Sequence, residues 1–318
     1  MMKRAGVRRL KVFSIAFGVS VVILSLIFIP IMLEVSPLRD YTPSSSIPSS
    51  AAPIAYTPVV SDNLTALVII TEAGKARYFL LVRFNPVKGQ LPVTSLPYNM
   101  QVRAGGKNNT LQGYDAYGGT LEVKRIVEDV LDINISRTAR LSTENFIKAV
   151  NTLGTVKYTI PYTLIYKNVN ANIYINIPKG NQVLDGHAVY DLFRYPSYTE
   201  GEAHRYKVQS DVLAALINQR LNDWLIAHSD SVFKTLINLA ETDISHSDYA
   251  KSLPMLRYFA TQLYEPAVPV FPAGQFKSEG FLLSQKSLDA LKGYYGGAEA
   301  TSLGASSVET ESENPVNP

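Results

Sequence analysis

The feature that most constrains this chain is an uninterrupted apolar segment near its N-terminus. Residues 12–33 carry no charged side chain, and a helix of that length spans about 33 Å, enough to cross a hydrocarbon core of about 30 Å. All the charged residues that precede it are basic, namely Lys3, Arg4, Arg8, Arg9 and Lys11. Such residues collect on the cytoplasmic side of a membrane. The sequence therefore predicts a single-pass protein of the cell membrane, with a cytoplasmic stub (1–11), a transmembrane helix (12–33) and an extracytoplasmic remainder.

A cleaved signal peptide is the alternative interpretation of this segment. The apolar region of a signal peptide is normally about 7–15 residues long, and small residues follow it at the cleavage site. Here the apolar run is longer, and it ends in the bulky side chains of Ile29, Ile31, Met32 and Leu33. An uncleaved anchor is therefore the favoured interpretation.

The charge balance changes once the basic stub is set aside. The whole chain has 30 Lys and Arg against 27 Asp and Glu, and five of the basic residues belong to the stub. The rest of the chain then carries a net charge of −2, and no other basic run indicates a nucleic-acid partner. The sequence contains no cysteine, which excludes disulfides, thiol catalysis and Cys-ligated zinc.

Composition divides the rest of the chain into a linker, a folded domain and a tail. Residues 34–62 are rich in Pro, Ser and Ala, a composition that buries too little apolar area to fold and favours extended conformations. Residues 296–318 are rich in Glu, Ser, Thr, Asn and Pro, which predicts a disordered tail. The folded extracytoplasmic domain is therefore expected over residues 63–295, a length sufficient for a substantial core.

Within the expected domain, strand and helix patterns alternate. Apolar and β-branched runs separated by turn residues predict strands over residues 66–71, 77–85, 90–96, 156–166 and 171–177. Apolar faces at helical spacing predict helices over residues 121–131, after Ser142-Thr143, and over 203–226, the last being the longest and having Trp224 on its buried face. The predicted fold class is mixed α/β, with a central mixed β-sheet sandwiched by helices.

Several short motifs follow one another in order along this domain. They are Phe79-Leu80-Leu81-Val82-Arg83-Phe84-Asn85-Pro86, Thr94-Ser95-Leu96-Pro97, Tyr117-Gly118-Gly119, residues 146–154, residues 183–187, Leu192-Phe193-Arg194-Tyr195, Gly201-Glu202-Ala203-His204-Arg205, Gln209 and residues 241–245. Together with the basic stub, the anchor and the linker, these motifs resemble the LytR–CpsA–Psr (LCP) family of extracytoplasmic cell-wall proteins. The resemblance covers about residues 65–295, and the chain looks like a divergent member.

The resemblance implies a substrate class and a set of binding residues. Family members that resemble this chain transfer a polyprenyl-pyrophosphate-linked glycopolymer onto peptidoglycan, with magnesium and a set of arginines around the pyrophosphate. By this resemblance, Arg194, Arg205 and Gln209 would bind the pyrophosphate of the lipid head. Guanidinium groups suit this task because they are planar forks that match phosphate oxygens.

The surroundings of the two arginines can also be predicted. Arg194 is expected to follow an apolar strand, and an ordinary ion pair on the surface is the alternative to a binding role. Arg205 is expected near the start of a helix, where an acidic residue would suit the helix dipole better than a basic one. Gln209 would lie one turn beyond Arg205 on the same face.

Several positions depart from the family pattern. Pro196 and Val208 stand where the family has further arginines, and Tyr98-Asn99 replaces an arginine and a carboxylate. The family stretch that supplies a metal-binding Asp falls near Arg77, which places a cation where the metal would lie. We therefore expect a degenerate catalytic site.

Two carboxylates remain as candidate metal ligands. Glu72 could stand in for one family Asp, and Glu202 replaces the Asp that follows Gly201. Magnesium prefers one or two carboxylates together with phosphate and water in octahedral geometry. With the main acidic positions lost, we expect binding of magnesium to be weak or absent.

Three functional hypotheses follow from the sequence. The first is an impaired family member that binds a polyprenyl-phosphate lipid or its glycan and assists attachment to the cell wall, at the membrane and with cell-wall assembly proteins as partners. The second is an active magnesium-dependent phosphotransferase whose metal site is rebuilt around Glu72 and Glu202. The third is a non-catalytic structural scaffold.

Overall fold

The computed structural model describes residues 56–296. The predicted stub, the membrane span over 12–33, most of the linker and residues 297–318 of the tail lie outside the described residues. Between residues 56 and 296, no helix is both long enough and apolar enough to cross a membrane.

Strands and helices alternate along the described chain, after a short 3-10 turn at Val60–Asp62. The strands are β1 Leu64–Glu72, β2 Lys75–Phe84, β3 Leu91–Leu96, β4 Gln101–Ala104, β5 Lys107–Thr110, β6 Arg137–Ser142, β7 Val156–Ile160, β8 Leu164–Asn168, β9 Ile173–Ile177, β10 Gly180–Leu184, β11 Glu241–Thr242, β12 Ala267–Pro269, β13 Gly274–Lys277 and β14 Gly280–Leu283. The helices are α1 Leu111–Leu131, α2 Thr143–Leu153, α3 Gly186–Arg194, α4 His204–Arg220, α5 Asp223–Ile237, α6 His246–Gln262 and α7 Gln285–Tyr295.

The central sheet is mixed, as predicted from the sequence. Its strand order is β11-β6-β1-β2-β3-β12, with β1–β6 and β3–β12 parallel and the other neighbours antiparallel. The hairpin between β1 and β2 turns at Ala73 and Gly74, which both have positive φ. Two successive residues with positive φ form the tight turn whose twist suits a two-residue hairpin.

Helices cover both faces of this sheet, because alternate residues of β1 and β2 point to opposite sides. On one side, Leu67 and Phe79 are buried with residues of α1 and α7. On the other side, Ile70 and Leu80 are buried with residues of α2, α3, α4 and α6. The predicted sandwich of helices around a central sheet is therefore confirmed.

Helix α2 begins where the sequence places it. The hydroxyl of Ser142 accepts a hydrogen bond from the backbone N–H of Asn145 at 3.2 Å, which satisfies one of the donors left open at a helix start. Helix α1 contains the predicted segment 121–131 but starts ten residues earlier, at Leu111, and is kinked at Gly119, whose φ is 65°.

The prediction of one long helix over residues 203–226 was wrong. Two helices, α4 and α5, occupy this segment, because the side chain of Asn222 accepts a hydrogen bond from the N–H of Leu225 at 3.2 Å and starts a new helix. Trp224, expected on a buried face, is 50% exposed.

The predicted strand over residues 156–166 is also divided. Strand β7 ends at Ile160, next to Pro161, and β8 starts at Leu164. Proline has no N–H to donate to a neighbouring strand, so it interrupts the pairing. The two strands then pair separately, β7 with β10 and β8 with β9, in antiparallel arrangements outside the central sheet.

An ion pair joins β6 to the start of α6. The Nε of Arg137 donates to Asp248 at 3.0 Å, and Asp248 also accepts from the backbone N–H of Ser245 at 2.8 Å within a capping box. Hydrogen bonds from Arg137, which have the largest effect, and from Ser245 lower the pKa of Asp248 below its usual range.

We expect Asp248→Asn to lower the free energy of unfolding at pH 7 by about 1 kcal/mol, because the ion pair is partly exposed and the cap is weakened. A depressed carboxyl pKa stabilises the fold above the pKa of the unfolded chain, so the difference from wild type should shrink as the pH falls below about 4. Urea unfolding of both proteins at several pH values measures this difference in the free energy of unfolding.

The control is Asp230→Asn, which removes the acid of an exposed ion pair on α5. An equally large effect of this substitution would contradict the stabilising role assigned to Asp248.

Candidate functional site

A cleft of about 120 Å³ opens beside the β1–β2 turn, where the end of β1 and the start of β2 meet the end of α3 and the start of α4. It brings together most of the residues that the sequence singled out. Its lining consists of Glu72, Arg77, Tyr78, Tyr98, Ile173, Arg194, Arg205, Tyr206 and Gln209.

Arg194 is the last residue of α3 rather than the end of a strand, so that prediction was wrong. The carboxylate of Asp185 accepts from the N–H of Ala188 at 2.9 Å and starts a helix through the apolar run before Arg194. The Nε of Arg194 donates to Asp191 at 2.9 Å, and its Nη2 lies 2.8 Å from the same oxygen. The ion pair that was the alternative to a binding role is therefore present, and Arg194 also lines the cleft.

Arg205 is the second residue of α4, as expected from the sequence. Its Nε donates to the carbonyl oxygen of Tyr195 at 3.2 Å, and this bond fixes the direction of the side chain. Within residues 56–296, neither Nη atom has a hydrogen-bond partner or a carboxylate partner. A cation at the positive end of a helix is unfavourable, and an anion in the cleft would offset that cost.

Gln209 is 0% exposed and uses both ends of its amide inside the protein. Its Oε1 accepts from the hydroxyl of Ser95 at 2.5 Å, and its Nε2 donates to the carbonyl oxygen of Phe193 at 2.9 Å. A second bond runs alongside, from the N–H of Ser95 to the hydroxyl of Ser210 at 2.9 Å. Gln209 therefore joins β3, α3 and α4 beneath the cleft, while direct contact with a ligand stays a prediction.

The two candidate metal ligands lie in different surroundings. Glu72 lines the cleft and accepts a hydrogen bond from the hydroxyl of Tyr190. Burial is the main cause that raises the pKa of Tyr190, and this hydrogen bond raises it further. Glu202 is exposed and is not part of the lining. No group of three or more His, Asp or Glu residues that could hold a metal occurs within residues 56–296.

The lining of the cleft does not fit a magnesium ion. Magnesium needs carboxylate or other hard oxygen ligands in octahedral geometry. The lining offers one carboxylate, already hydrogen-bonded to Tyr190, against the three guanidinium groups of Arg77, Arg194 and Arg205. These charges would repel a divalent cation and attract an anion.

Arg77 and Tyr206 also line the cleft, and the sequence predicted a binding role for neither of them. The guanidinium carbon of Arg77 lies 3.7 Å from the centre of the Tyr98 ring. Tyr206 is 2% exposed, and its hydroxyl has no hydrogen-bond partner in the described part of the chain. Only their positions in the sequence pointed to the cleft: Arg77 falls within the family pattern, and Tyr206 directly follows Arg205.

Comparisons with known proteins identify the family. The LytR_cpsA_psr family model matches residues 69–264, more than half of the chain. An uncharacterized protein of Staphylococcus aureus is 24% identical over 179 residues, covering 56% of this chain and 44% of the relative. The polyisoprenyl-teichoic acid–peptidoglycan teichoic acid transferase TagU of Bacillus subtilis is 23% identical over 177 residues, covering 55% and 56%. The chain thus spans about half the length of these curated relatives.

A solved structure supports the fold. The structure of TagT bound to LIIa-WTA superposes with a TM-score of 0.58 at 21% identity, covering 76% of this chain and 92% of that one. At this level of identity, the likeness concerns the fold alone.

We expect Gln209→Met to lower the free energy of unfolding by about 2 kcal/mol, because it leaves the hydroxyl of Ser95 and the carbonyl of Phe193 buried without their partner. Thermal or urea unfolding measures the change. Gln275→Met, at an exposed position of β13, is the matched control and should change stability by less than about 0.5 kcal/mol. Equal effects of the two substitutions would show that Gln209 does not join these elements.

Proposed function

This chain belongs to the LytR_cpsA_psr family, and we propose that it is a membrane-anchored cell-envelope protein that binds a polyprenyl-(pyro)phosphate-linked glycopolymer and assists its attachment to the cell wall. The name of the Bacillus subtilis relative TagU supports this class of substrate, since it describes transfer of teichoic acid from a polyisoprenyl carrier to peptidoglycan. The predicted membrane span over residues 12–33 supports a location at the membrane surface, where such a carrier lies.

The observation that carries the proposal is the meeting of Arg194 and Arg205 in one cleft. The Nη atoms of Arg205 have no partner within residues 56–296. Arg194 forms an ion pair with Asp191, which offsets part of its charge. A phosphate oxygen between them would accept charge-assisted hydrogen bonds, which are roughly twice as strong as neutral ones. Because the guanidinium group is weakly hydrated and planar, it is suited to partly buried phosphate recognition.

The charge of the cleft indicates which part of the substrate it would hold. Its lining has three guanidinium groups and one carboxylate, which suits the phosphate head of the carrier better than an uncharged sugar ring or a lipid chain. The glycan and the lipid chain would then extend from the cleft in different directions, with the phosphate head fixed between the arginines.

We propose binding rather than turnover. A magnesium-dependent transferase built on Glu72 and Glu202 would need both carboxylates around one ion, but only Glu72 lines the cleft. Loss of one preorganised group that stabilises developing charge lowers a rate by about 10²–10³-fold. In this role the chain would hold the carrier-linked polymer for a cell-wall assembly protein that performs the transfer.

The experiment isolates the full-length chain from its native membranes in detergent and identifies co-purifying lipids by mass spectrometry. We expect a polyprenyl-phosphate or polyprenyl-pyrophosphate species with wild type. The double variant Arg194→Ala with Arg205→Ala should lose at least about 90% of it, because removing two charge-assisted contacts lowers affinity by more than tenfold.

The control for this experiment is Arg257→Ala. Arg257 is exposed on α6 and does not line the cleft, so its loss should leave the amount of bound lipid unchanged. The proposal would be wrong if wild type carried no phosphorylated polyprenyl lipid, or if the double variant carried as much as wild type while remaining folded.

A further inference from the structure

Arg77, like Arg205, is a cation of the cleft with no acidic partner in the described part of the chain. Its guanidinium group stacks on the ring of Tyr98, with 3.7 Å between the guanidinium carbon and the ring centre, and it forms no ion pair within the described residues. Stacking fixes the plane of a guanidinium group and leaves its N–H groups at the edge of that plane. Arg77 can therefore present a preoriented fork to a ligand.

Tyr206 contributes an uncharged donor to the same cleft. The residue is 2% exposed, its hydroxyl has no hydrogen-bond partner in the described part of the chain, and it lines the cleft beside Arg77 and Arg205. A buried hydroxyl without a partner is unfavourable, so such groups in native proteins call for an explanation. Burial raises the pKa of Tyr206, which keeps the hydroxyl protonated and able to donate at neutral pH.

The charges around these two groups favour an anion without a metal ion. The lining contains three guanidinium groups and a single carboxylate, and that carboxylate accepts a hydrogen bond from Tyr190. A divalent cation would meet a surplus of positive charge, whereas a pyrophosphate would meet charge of opposite sign and, at Tyr206, an uncharged donor. A fixed guanidinium group can offset the charge that a metal ion would otherwise neutralise.

We infer that this cleft binds pyrophosphate independently of divalent metal ions, with Arg77 as its fixed cation and Tyr206 as an additional hydrogen-bond donor. This inference rests on the proposed binding of a polyprenyl-pyrophosphate head in the cleft. It adds to that proposal the independence from metal and the two residues that provide it.

The test is calorimetric titration of the full-length chain in nonionic detergent with inorganic pyrophosphate, which carries the two phosphate groups of the proposed lipid head and does not partition into micelles. One titration contains EDTA and the other contains magnesium chloride. We expect affinity in EDTA at least equal to that in magnesium, because magnesium also lowers the free pyrophosphate concentration.

Two variants test the assigned residues. Arg77→Ala should weaken binding by about tenfold or more, the effect of losing a charge-assisted contact. Tyr206→Phe should weaken binding by about three- to tenfold, the effect of losing one neutral hydrogen bond. Tyr206→Phe should also leave Tm unchanged or raised, since the hydroxyl it removes forms no hydrogen bond within residues 56–296. Arg257→Ala and Tyr264→Phe, the latter at a 90% exposed position, are matched controls and should bind as wild type does.

The outcomes separate this inference from the proposed function. Binding that requires magnesium would overturn the inference and leave the proposed function standing. The same conclusion follows if Arg77→Ala and Tyr206→Phe keep wild-type affinity while the Arg194→Ala, Arg205→Ala double variant loses it. If wild type binds no pyrophosphate under either condition, both the inference and the proposed phosphate site are wrong. A fall in Tm for Tyr206→Phe would show that its hydroxyl has a structural partner, and would also overturn the inference.

Discussion

The candidate site depends on the buried amide of Gln209. Its two hydrogen bonds, to Ser95 after the middle of β3 and to Phe193 near the end of α3, hold a strand and a helix against α4. Arg194 directly follows Phe193, and Arg205 lies one helical turn before Gln209, so this one side chain ties together the segments that carry both arginines. A buried amide with both ends satisfied is directional, whereas the apolar packing around it is not. It therefore determines how these elements meet.

The charge of the cleft follows from that arrangement. Asp191 offsets part of the charge of Arg194, while Arg205 is held through its Nε by a backbone carbonyl and Arg77 by the ring of Tyr98. Neither of these contacts neutralises a guanidinium group. Holding cations close together without acidic partners is unfavourable in the unliganded protein, and a phosphate bound as proposed would remove that penalty. The same surplus of charge makes the cleft a poor fit for the magnesium ion that the resemblance implies.

Much of the fold could be predicted from the sequence, because the relevant signals are local. Apolar and β-branched runs between turn residues identified β1 to β3, and Ser142-Thr143 identified the start of α2. Two element boundaries were missed because a single residue interrupts a longer regular pattern. Asn222 starts a new helix inside a continuous apolar periodicity, and Pro161 divides a β-branched run into two strands. The sequence pointed to Arg77 and Tyr206 only by their positions. It could not predict the roles proposed for them, because the stacking of Arg77 on Tyr98 and the lack of a partner for the buried Tyr206 hydroxyl within residues 56–296 depend on residues distant in sequence.

The most direct test of the central claim, that the arginine cleft is a phosphate site, is a crystal structure of the protein with a prenyl pyrophosphate. A phosphate group should lie between Arg194 and Arg205, with its oxygens about 2.7–2.9 Å from guanidinium nitrogens and with Gln209 still bonded to Ser95 and Phe193. A pyrophosphate located elsewhere, for example in the larger cavity beside Arg137 and Lys251, with the arginine cleft empty, would contradict the claim.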